Sequence, residues 1–224
     1  GMGKYAKQNI RISREMFEES KELLKAMGIA VVQAPSEAEA QASEIAKHDS
    51  WAVGSQDYDS LLFGAPRLIQ NLTLARKRKT VSGFVYISPE LIDLDHVLNT
   101  LQINHDQLIC LGILVGTDYN RGGIKGIGQK KALEIVRKQV YPVKIFEAVG
   151  GLMENQEAKF DWTEIFEMFH KPNVNKNPEI EFPSFNEKKV KEILLEHDFS
   201  EERIDGQLEK LREAREKKKQ KTLF

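Results

Sequence analysis

Two pairs of carboxylates, each placed directly after a short apolar run, constrain this chain more than any other feature. Glu37 and Glu39 follow the first run, and Asp57 and Asp59 follow the second. Short apolar runs bounded by turn residues predict buried β-strands. In an open α/β sheet, polar groups that come after the strands meet beyond the carboxyl edge of the sheet. The sequence therefore predicts that both pairs share one crevice.

A fifth acidic residue, Asp118, follows an apolar helix and is predicted to join the same crevice. Carboxylates gathered this closely cannot all remain ionised unless a positive charge lies among them. Carboxylate oxygens suit Mg²⁺ or Mn²⁺ better than Zn²⁺. Glu37, Glu39, Asp57, Asp59 and Asp118 are therefore predicted to bind a divalent metal that assists phosphate chemistry.

Each of these acidic residues also has an ordinary structural explanation. Ser36 with Glu39 three positions later matches a capping box, and acidic side chains stabilise a helix start. Asp57 and Asp59 lie at a strand-to-helix junction, where Asx turns and N-caps are common. A single aspartate such as Asp118 is often a loop or capping residue. These alternatives stay open beside the metal site.

The order of the predicted elements indicates an α/β region followed by a helical one. Predicted first are a helix from Ser13 to Gly28, a strand at 29–32, a helix from Ser36 to about His48, a strand at 51–54, a short helix ending at Gly64, and strands at 67–70 and 84–87 separated by a basic turn at 76–79. Predicted next are helices at 90–98, 105–115 and 129–138, an extended connection over 171–186, and a last helix from about Ser200. We expect three regions: residues 1–100, 101–150 and 151–224.

The segment from Gly122 to Gly128 has the form of a helix-hairpin-helix turn before a helix. Glycines let the backbone approach a phosphate, and the amides and dipole of a helix start favour an anion. The predicted DNA-binding residues are Gly122, Lys125, Gly126, Gly128, Lys130 and Lys131. A glycine-rich connection between two packed helices is the alternative. The basic segments at 76–79 and 217–221 fit a solvated hairpin face and the end of a helix.

The composition bears on where in the cell the protein acts and on how it could bind nucleic acid. The net charge is −1, from 33 basic and 34 acidic residues, so nucleic-acid binding must depend on local basic patches and on metal ions. Cys110, the single cysteine, lies in an apolar run and is predicted to be buried, which excludes a disulfide framework and fits a reducing interior. No run is apolar over a length that crosses a bilayer. Met2 after a glycine leads us to expect a chain that begins inside a longer protein.

Four segments resemble successive signature blocks of the flap endonucleases, especially the archaeal ones, within the xeroderma-pigmentosum-G-like nucleases. They are APSEAEAQA at 34–42, SQDYDSLLFGA at 55–65, LVGTDYN at 114–120 and GIKGIG at 123–128. The resemblance extends to FSEERI at 199–204 and covers nearly the whole chain, but only about the carboxyl-terminal two thirds of the family. It implies an α/β, parallel-sheet, PIN-like nuclease core, incomplete here, followed by a helical helix-hairpin-helix region that binds DNA.

The same resemblance implies a Mg²⁺-dependent, structure-specific 5′ flap endonuclease and 5′–3′ exonuclease that hydrolyses branched DNA in replication and repair. Two Mg²⁺ ions about 4 Å apart, with Mn²⁺ as a substitute, would be held by the five carboxylates. Main-chain carbonyls of Ile124 and Ile127 would bind K⁺ at the DNA-binding turn. The chain alone is expected to be weakly active or inactive, since the amino-terminal block of the family is absent.

Partners and location follow from the same resemblance. Branched or flapped duplex DNA is the implied substrate, and Gln220 and Leu223 match the start of an incomplete sliding-clamp-binding box. The expected location is intracellular, in the cytoplasm of an archaeon or the nucleus of a eukaryote, with no membrane partner. The alternative functions are a related 5′–3′ exonuclease or excision-repair nuclease, and a non-catalytic DNA-binding fragment.

Overall fold

A computed structural model describes residues 13–72, 77–81, 83–154 and 160–221. The described residues form two compact units, one within residues 33–178 and one that combines those before residue 33 with those after residue 178. This division differs from the three sequential regions expected above. Every candidate metal and DNA residue lies in the 33–178 unit. None of the described helices is long and apolar enough to cross a membrane.

Helices dominate the described residues. In chain order the elements are α1 Arg14–Ala26, α2 Ala38–His48, β1 Val53–Gly54, α3 Asp59–Leu62, β2 Arg67–Gln70, β3 Lys77–Thr80, β4 Gly83–Tyr86, β5 Glu90–Asp93, α4 Leu94–Leu101, α5 His105–Val115, α6 Gln129–Lys138, α7 Pro142–Glu147, α8 Gly150–Glu154, α9 Trp162–His170, α10 Glu187–Glu196 and α11 Glu201–Lys221. The predictions of a strand at 67–70, of helices at 105–115 and 129–138 and of the extended connection at 171–186 are confirmed. The strand predicted at 51–54 covers only Val53–Gly54, and the one predicted at 84–87 runs from Gly83 to Tyr86.

The main sheet is mixed rather than parallel throughout. β1 pairs with β2 in parallel, with Val53 opposite Leu68, whereas β2 pairs with β5 antiparallel, with Leu68 opposite Ile92. β3 and β4 form a separate antiparallel pair. The predicted parallel sheet therefore describes only the β1–β2 pair in the part of the chain that the structure describes.

Three local predictions were wrong because strand formation depends on a partner. Residues 29–32, predicted as a strand, lie in no strand, since no described segment pairs with them. Residues 90–93, predicted as helical, form β5 because they pair with β2. Residues 77–79, predicted as part of a turn, belong to β3, and position 76 lies outside the described residues. Whether each segment forms a strand depends on hydrogen bonds to another strand, and the local sequence pattern does not reveal whether such a partner exists.

Helix α5 is the centre of the larger unit. Ile109, Cys110, Ile113 and Leu114 have no solvent exposure, which explains why this helix is apolar on all sides. Its start is fixed by a capping box between Asn104 and Gln107. The Gln107 side chain also donates a hydrogen bond from Nε2 to the Val136 carbonyl of α6. The burial of Ile113 and Leu114 fixes the other end of α5, from which the loop that carries Asp118 continues.

The burial of Cys110 makes a direct prediction about its reactivity. Burial, with a smaller contribution from the negative charge of Asp106, raises the pKa of the thiol to about 12. At pH 8 only about one thiol in ten thousand is then ionised, and the thiolate is the reactive form. We expect no reaction with a disulfide reagent in the native state and one thiol per chain in denaturant. Rapid modification with an unchanged circular dichroism spectrum would contradict this packing.

The smaller unit consists of α1, α10 and α11. The helix predicted from Ser13 is confirmed, because the Ser13 hydroxyl accepts a hydrogen bond from the Met16 amide at 3.2 Å and caps α1. At the other end, Gly28 has a φ of +77°, which suits glycine. The unit has its own core of Ala26, Val190, Ile204 and Leu208.

Candidate metal centre and nucleic-acid interface

The strand β1 brings the aspartate pair to the site. Asp57 follows β1 by three residues, and Asp59 is the first residue of α3. The Asp59 amide donates a hydrogen bond to Oδ1 of Asp57 at 3.0 Å, so the Asx-turn alternative is present. A carboxylate has about four lone-pair sites, and one accepted bond leaves the others available. The turn role and a metal role of Asp57 are therefore compatible.

The glutamate pair lies at the start of α2, but it does not form the capping box that was the alternative explanation. The N-cap residue is Glu37 rather than Ser36, and it makes no side-chain capping hydrogen bond. Glu39 is in the first helical turn. The buried Ser43 hydroxyl donates to the Glu39 carbonyl at 2.6 Å and lies 3.1 Å from the Ser60 carbonyl. Ser43 thus holds the start of α2 against α3, the helix that begins with Asp59.

Asp118 projects from a loop whose shape is fixed by buried polar groups. The amide and hydroxyl of Thr117 both donate to Oδ1 of Asn120, at 3.1 and 2.8 Å. Nδ2 of Asn120 donates to the Ile113 carbonyl of α5 at 2.7 Å. Thr117 and Asn120 are buried, whereas the Asp118 side chain is exposed. The loop therefore fixes the backbone of Asp118 and leaves its carboxylate accessible.

The five predicted carboxylates lie close enough to affect one another. The pKa of Asp59 is raised to about 6, mainly by burial and then, in decreasing order, by the negative charges of Asp57, Asp118, Glu39 and Glu37. Asp59 is thus the half-buried centre of an acidic cluster that combines two helix starts and one loop. Its raised pKa is the electrostatic sign of a site that favours a cation.

The donor set fits Mg²⁺ although the protein does not enclose it. Among the described residues, no three His, Cys, Asp or Glu side chains lie close enough together to hold a metal ion. Mg²⁺ prefers oxygen ligands, keeps several waters and is commonly bound through one or two carboxylates. The oxygen donors around Asp59 therefore suit Mg²⁺ in an open site rather than in a cage of protein ligands.

Sequence reasoning missed two residues of the same loop. Burial raises the pKa of Tyr119, and a hydrogen bond to the Glu37 carboxylate raises it further. The Tyr119 ring lies edge-on to the buried Phe169, with centroids 5.6 Å apart. Arg121 points its Nε towards Oδ1 of Asp118 at 4.0 Å. Their positions within three residues of Asp118 were the signal that could have indicated them.

The glycine turn has a backbone conformation that only glycine adopts readily. Gly122 and Gly126 both have a φ of +85°, in the left-handed region. The side chains of Ile124 and Ile127 are buried, so their main chain is the part that remains for binding. The Ile127 amide donates to the Ile124 carbonyl at 3.0 Å, which leaves that carbonyl a second lone pair. Binding of K⁺ at these carbonyls stays a prediction.

The start of α6 presents amides and basic side chains together. Gly128 is its N-cap residue and provides no side-chain cap, so first-turn amides lack an intrahelical partner. Lys125, Lys130 and Lys131 are exposed around this start, and Nζ of Lys131 lies 3.5 Å from the Gly126 carbonyl. An uncapped helix start beside lysines is suited to a phosphate. The DNA-binding roles of these residues stay a prediction.

Two recesses adjoin the acidic cluster. A pocket of about 400 Å³ is lined by Asp57, Asp59, Asp118 and Arg121 together with neighbouring loop residues. A larger, mainly apolar cleft of about 600 Å³ is lined by residues of α3, β5, α4, α5 and α6, and it reaches from Asp59 to Lys130. Asp59 lines both recesses, and the larger one connects it with Lys130 at the start of α6.

The clamp-binding prediction falls largely outside the structure. Leu223 lies outside the described residues, and position 220 lies within the last turns of α11.

Comparison with known proteins identifies relatives over nearly the whole chain. Residues 28–118 match the XPG I-region family. The chain is 48% identical to flap endonuclease 1 of Pyrococcus furiosus over 224 residues. The aligned region covers 98% of this chain and 64% of the relative. The chain is 49% identical over 216 residues to flap endonuclease 1 of Sulfolobus acidocaldarius, covering 94% and 61%. The chain therefore spans a little over three fifths of the length of these relatives.

Solved structures give the same result for the fold. The flap endonuclease-1 structure from Methanococcus jannaschii matches with a TM-score of 0.74 and 39% identity, over 94% of this chain and 61% of that one. The catalytic core of Rad2 in complex with DNA substrate matches with a TM-score of 0.68 over 94% of this chain, at 21% identity. The second likeness concerns the fold alone. Both matches support the α/β fold class expected from the sequence.

Proposed function

Because the chain is a homologue of the archaeal flap endonucleases and carries an XPG I-region, we propose that it is part of a Mg²⁺-dependent 5′ nuclease that cleaves branched DNA. The observation that carries the proposal is the acidic cluster around Asp59, because Asp59 itself lines the same cleft as Lys130 at the start of α6. Carboxylates that suit a divalent cation and amides that suit phosphate are both needed for metal-assisted phosphodiester hydrolysis.

The metal-binding role belongs to the five carboxylates of the cluster. Glu37, Glu39, Asp57, Asp59 and Asp118 would hold two Mg²⁺ ions, or Mn²⁺ in their place. A bound divalent ion lowers the pKa of a coordinated water and stabilises negative charge on phosphate and leaving oxygens. In this proposal the chain holds the carboxylates on rigid elements. Ser43 fixes α2 against α3, which follows β1, and Asn120 fixes the Asp118 loop to α5.

The DNA-binding role belongs to the turn and helix start that follow. Gly122, Gly126 and Gly128 leave the backbone open to a duplex phosphate, while Lys125, Lys130 and Lys131 supply charge. Carbonyls of Ile124 and Ile127 would hold a K⁺ ion in the same turn. Under this proposal residues 1–100 carry metal ligands in a PIN-like core, 101–150 hold duplex DNA and 151–224 form the helical end.

The function of the whole protein extends beyond this chain. The relatives are longer by more than a third of their own length, and we propose that the segment this chain does not span completes the active site and covers the apolar cleft beside Asp59. A sliding clamp would bind at the end that contains Gln220 and Leu223. A nuclease that acts on replicating DNA would act inside the cell.

A cleavage assay tests the proposal. A labelled double-flap DNA is incubated with Mg²⁺ or Mn²⁺ and the chain, alone and with the remaining portion of the Pyrococcus furiosus relative. We expect cleavage at the flap in the completed protein and its loss in the Asp57→Asn/Asp59→Asn variant. Flaps, nicks and bubbles compared in the same assay separate a flap endonuclease from a related exonuclease or excision-repair nuclease.

A second candidate is a non-catalytic DNA-binding module. The observation that favours it is the lack of any three-ligand metal group among the described side chains, together with the Asx-turn role of Asp57. Under this alternative, Asp57→Asn leaves Mn²⁺ affinity unchanged, whereas the nuclease proposal requires a clear loss. Unchanged Mn²⁺ affinity in a well-folded variant, with no cleavage by the completed protein, would replace the nuclease proposal with this one.

A further inference from the structure

One basic side chain, Arg121, is among the residues that line the pocket beside the acidic cluster. The pocket has a volume of about 400 Å³, and Asp57, Asp59 and Asp118 line it with Arg121. Three carboxylates repel a DNA phosphate, and a bound cation offsets that repulsion only near the cation itself. A phosphate that enters this pocket can therefore form an ion pair with Arg121, the basic residue of the pocket lining.

The guanidinium is held only loosely where it lies. Its Nε is 4.0 Å from Oδ1 of Asp118, at the outer limit of an ion pair, and the two side chains are 86% and 70% exposed. Such an exposed pair contributes little to stability. A guanidinium has five N–H donors in a planar fork, so one distant carboxylate leaves most of them to solvent. Arg121 can exchange this pairing for a phosphate at small cost.

The backbone beneath Arg121 is fixed, in contrast to the side chain. The Thr117 and Asn120 hydrogen bonds hold the loop just before it, and the Gly123 amide donates to the Asn120 carbonyl at 2.9 Å just after it. The main chain of Arg121 is therefore held at the edge of the acidic pocket. This separates it from Lys125, Lys130 and Lys131, which lie around the start of α6.

We propose that Arg121 binds a DNA backbone phosphate in the pocket formed with Asp57, Asp59 and Asp118, and so positions the strand against the carboxylates. The planar fork of arginine matches two phosphate oxygens at once, which lysine cannot do. The inference rests on the proposed function, because it requires DNA to approach the acidic cluster.

The salt dependence of DNA binding tests the role of Arg121. Affinity of the full chain for a fluorescent flap DNA is measured by anisotropy in Mg²⁺ at several salt concentrations. Arg121→Gln is expected to weaken binding about tenfold at low salt and to reduce the slope of log K against log salt by about 0.9, the value for one phosphate contact. Arg121→Lys should keep the slope with weaker binding. Arg203→Gln, an equal charge change in the other unit, should leave the slope unchanged.

The outcomes separate this inference from the proposed function. If the wild type binds DNA and Arg121→Gln has the slope of Arg203→Gln, then Arg121 only neutralises the acidic cluster, and the inference fails while the nuclease proposal stands. If the wild type binds no flap DNA in Mg²⁺ at any salt concentration, both fail. Equal melting temperatures of the variants in EDTA establish that the fold is intact, as the exposure of Arg121 predicts.

Discussion

Replacing Asp59 with asparagine is expected to stabilise the metal-free protein and to remove most of its stabilisation by Mg²⁺. Asp59 is half-buried among four other carboxylates, and its ionised form is therefore disfavoured in the folded state. Asparagine has nearly the same shape and carries no charge. We expect the variant to be more stable than the wild type by about 1 kcal/mol in EDTA at pH 7.5, after allowance for screening by solvent.

The pH dependence has a definite sign. The pKa of Asp59 is about 6 in the folded protein and 3.8 in the reference state. Its proton is therefore bound more tightly in the folded state, and its contribution to the free energy of unfolding falls as the pH rises from about 4 to about 6. Above this range the penalty is complete. The stability difference between Asp59→Asn and the wild type should thus be largest above pH 6 and vanish below pH 4.

Addition of metal should reverse the order of the two proteins. A ligand that binds only the folded state raises its stability in proportion to the logarithm of its concentration over Kd. The wild type should gain melting temperature in Mg²⁺ or Mn²⁺, and Asp59→Asn should gain little. Asp95→Asn is a matched control, since Asp95 is an exposed carboxylate in the first turn of α4 and its loss should destabilise slightly. A variant less stable than wild type in EDTA at pH 7.5 would exclude the acidic cluster described here.

Replacing Gly123 with alanine is expected to cause the largest loss of stability. A Cβ at this position would lie 2.3 Å from the Val115 carbonyl carbon and 2.4 Å from the Leu114 and Val115 oxygens. These are backbone atoms at the end of the central helix α5, and they cannot move independently. The hydrogen bond from the Ile124 amide to the Leu114 carbonyl, 2.9 Å long, would be lost or distorted. We expect a loss of about 4 kcal/mol in the free energy of unfolding, measured by urea denaturation.

The neighbouring glycine supplies a control for backbone conformation alone. Gly122 has a φ of +85°, but a Cβ there would meet no atom within 4 Å. Gly122→Ala should therefore cost only about 1 kcal/mol, from the left-handed conformation. Equal losses in the two variants would mean that the close approach of the loop to α5 is wrong. Gly123→Ala should also weaken Mn²⁺ and DNA binding together, because one loop carries Asp118, Arg121 and the glycine turn.

Several parts of this protein could be predicted from local sequence patterns. The cap at Ser13 and the apolar helix at 105–115 depend on side chains close together in the chain, and both were predicted. The buried state of Cys110 followed from the same apolar run. The acidic residues were selected because each pair follows a predicted element. Their metal-binding role remains a prediction, although the charges of the other four act on Asp59.

Other features were decided only by the tertiary structure. Residues 90–93 became a strand, and 29–32 did not, because a strand exists only where another segment accepts its hydrogen bonds. Arg121 and Tyr119 lie at the acidic site because of the fold of one loop, and no sequence motif indicated either of them. The sequence alone determined the elements whose bonds are local and the chemical types of the site residues. Pairing between distant segments and the electrostatic coupling of the carboxylates required the fold, because both depend on distances in space rather than on separation along the chain.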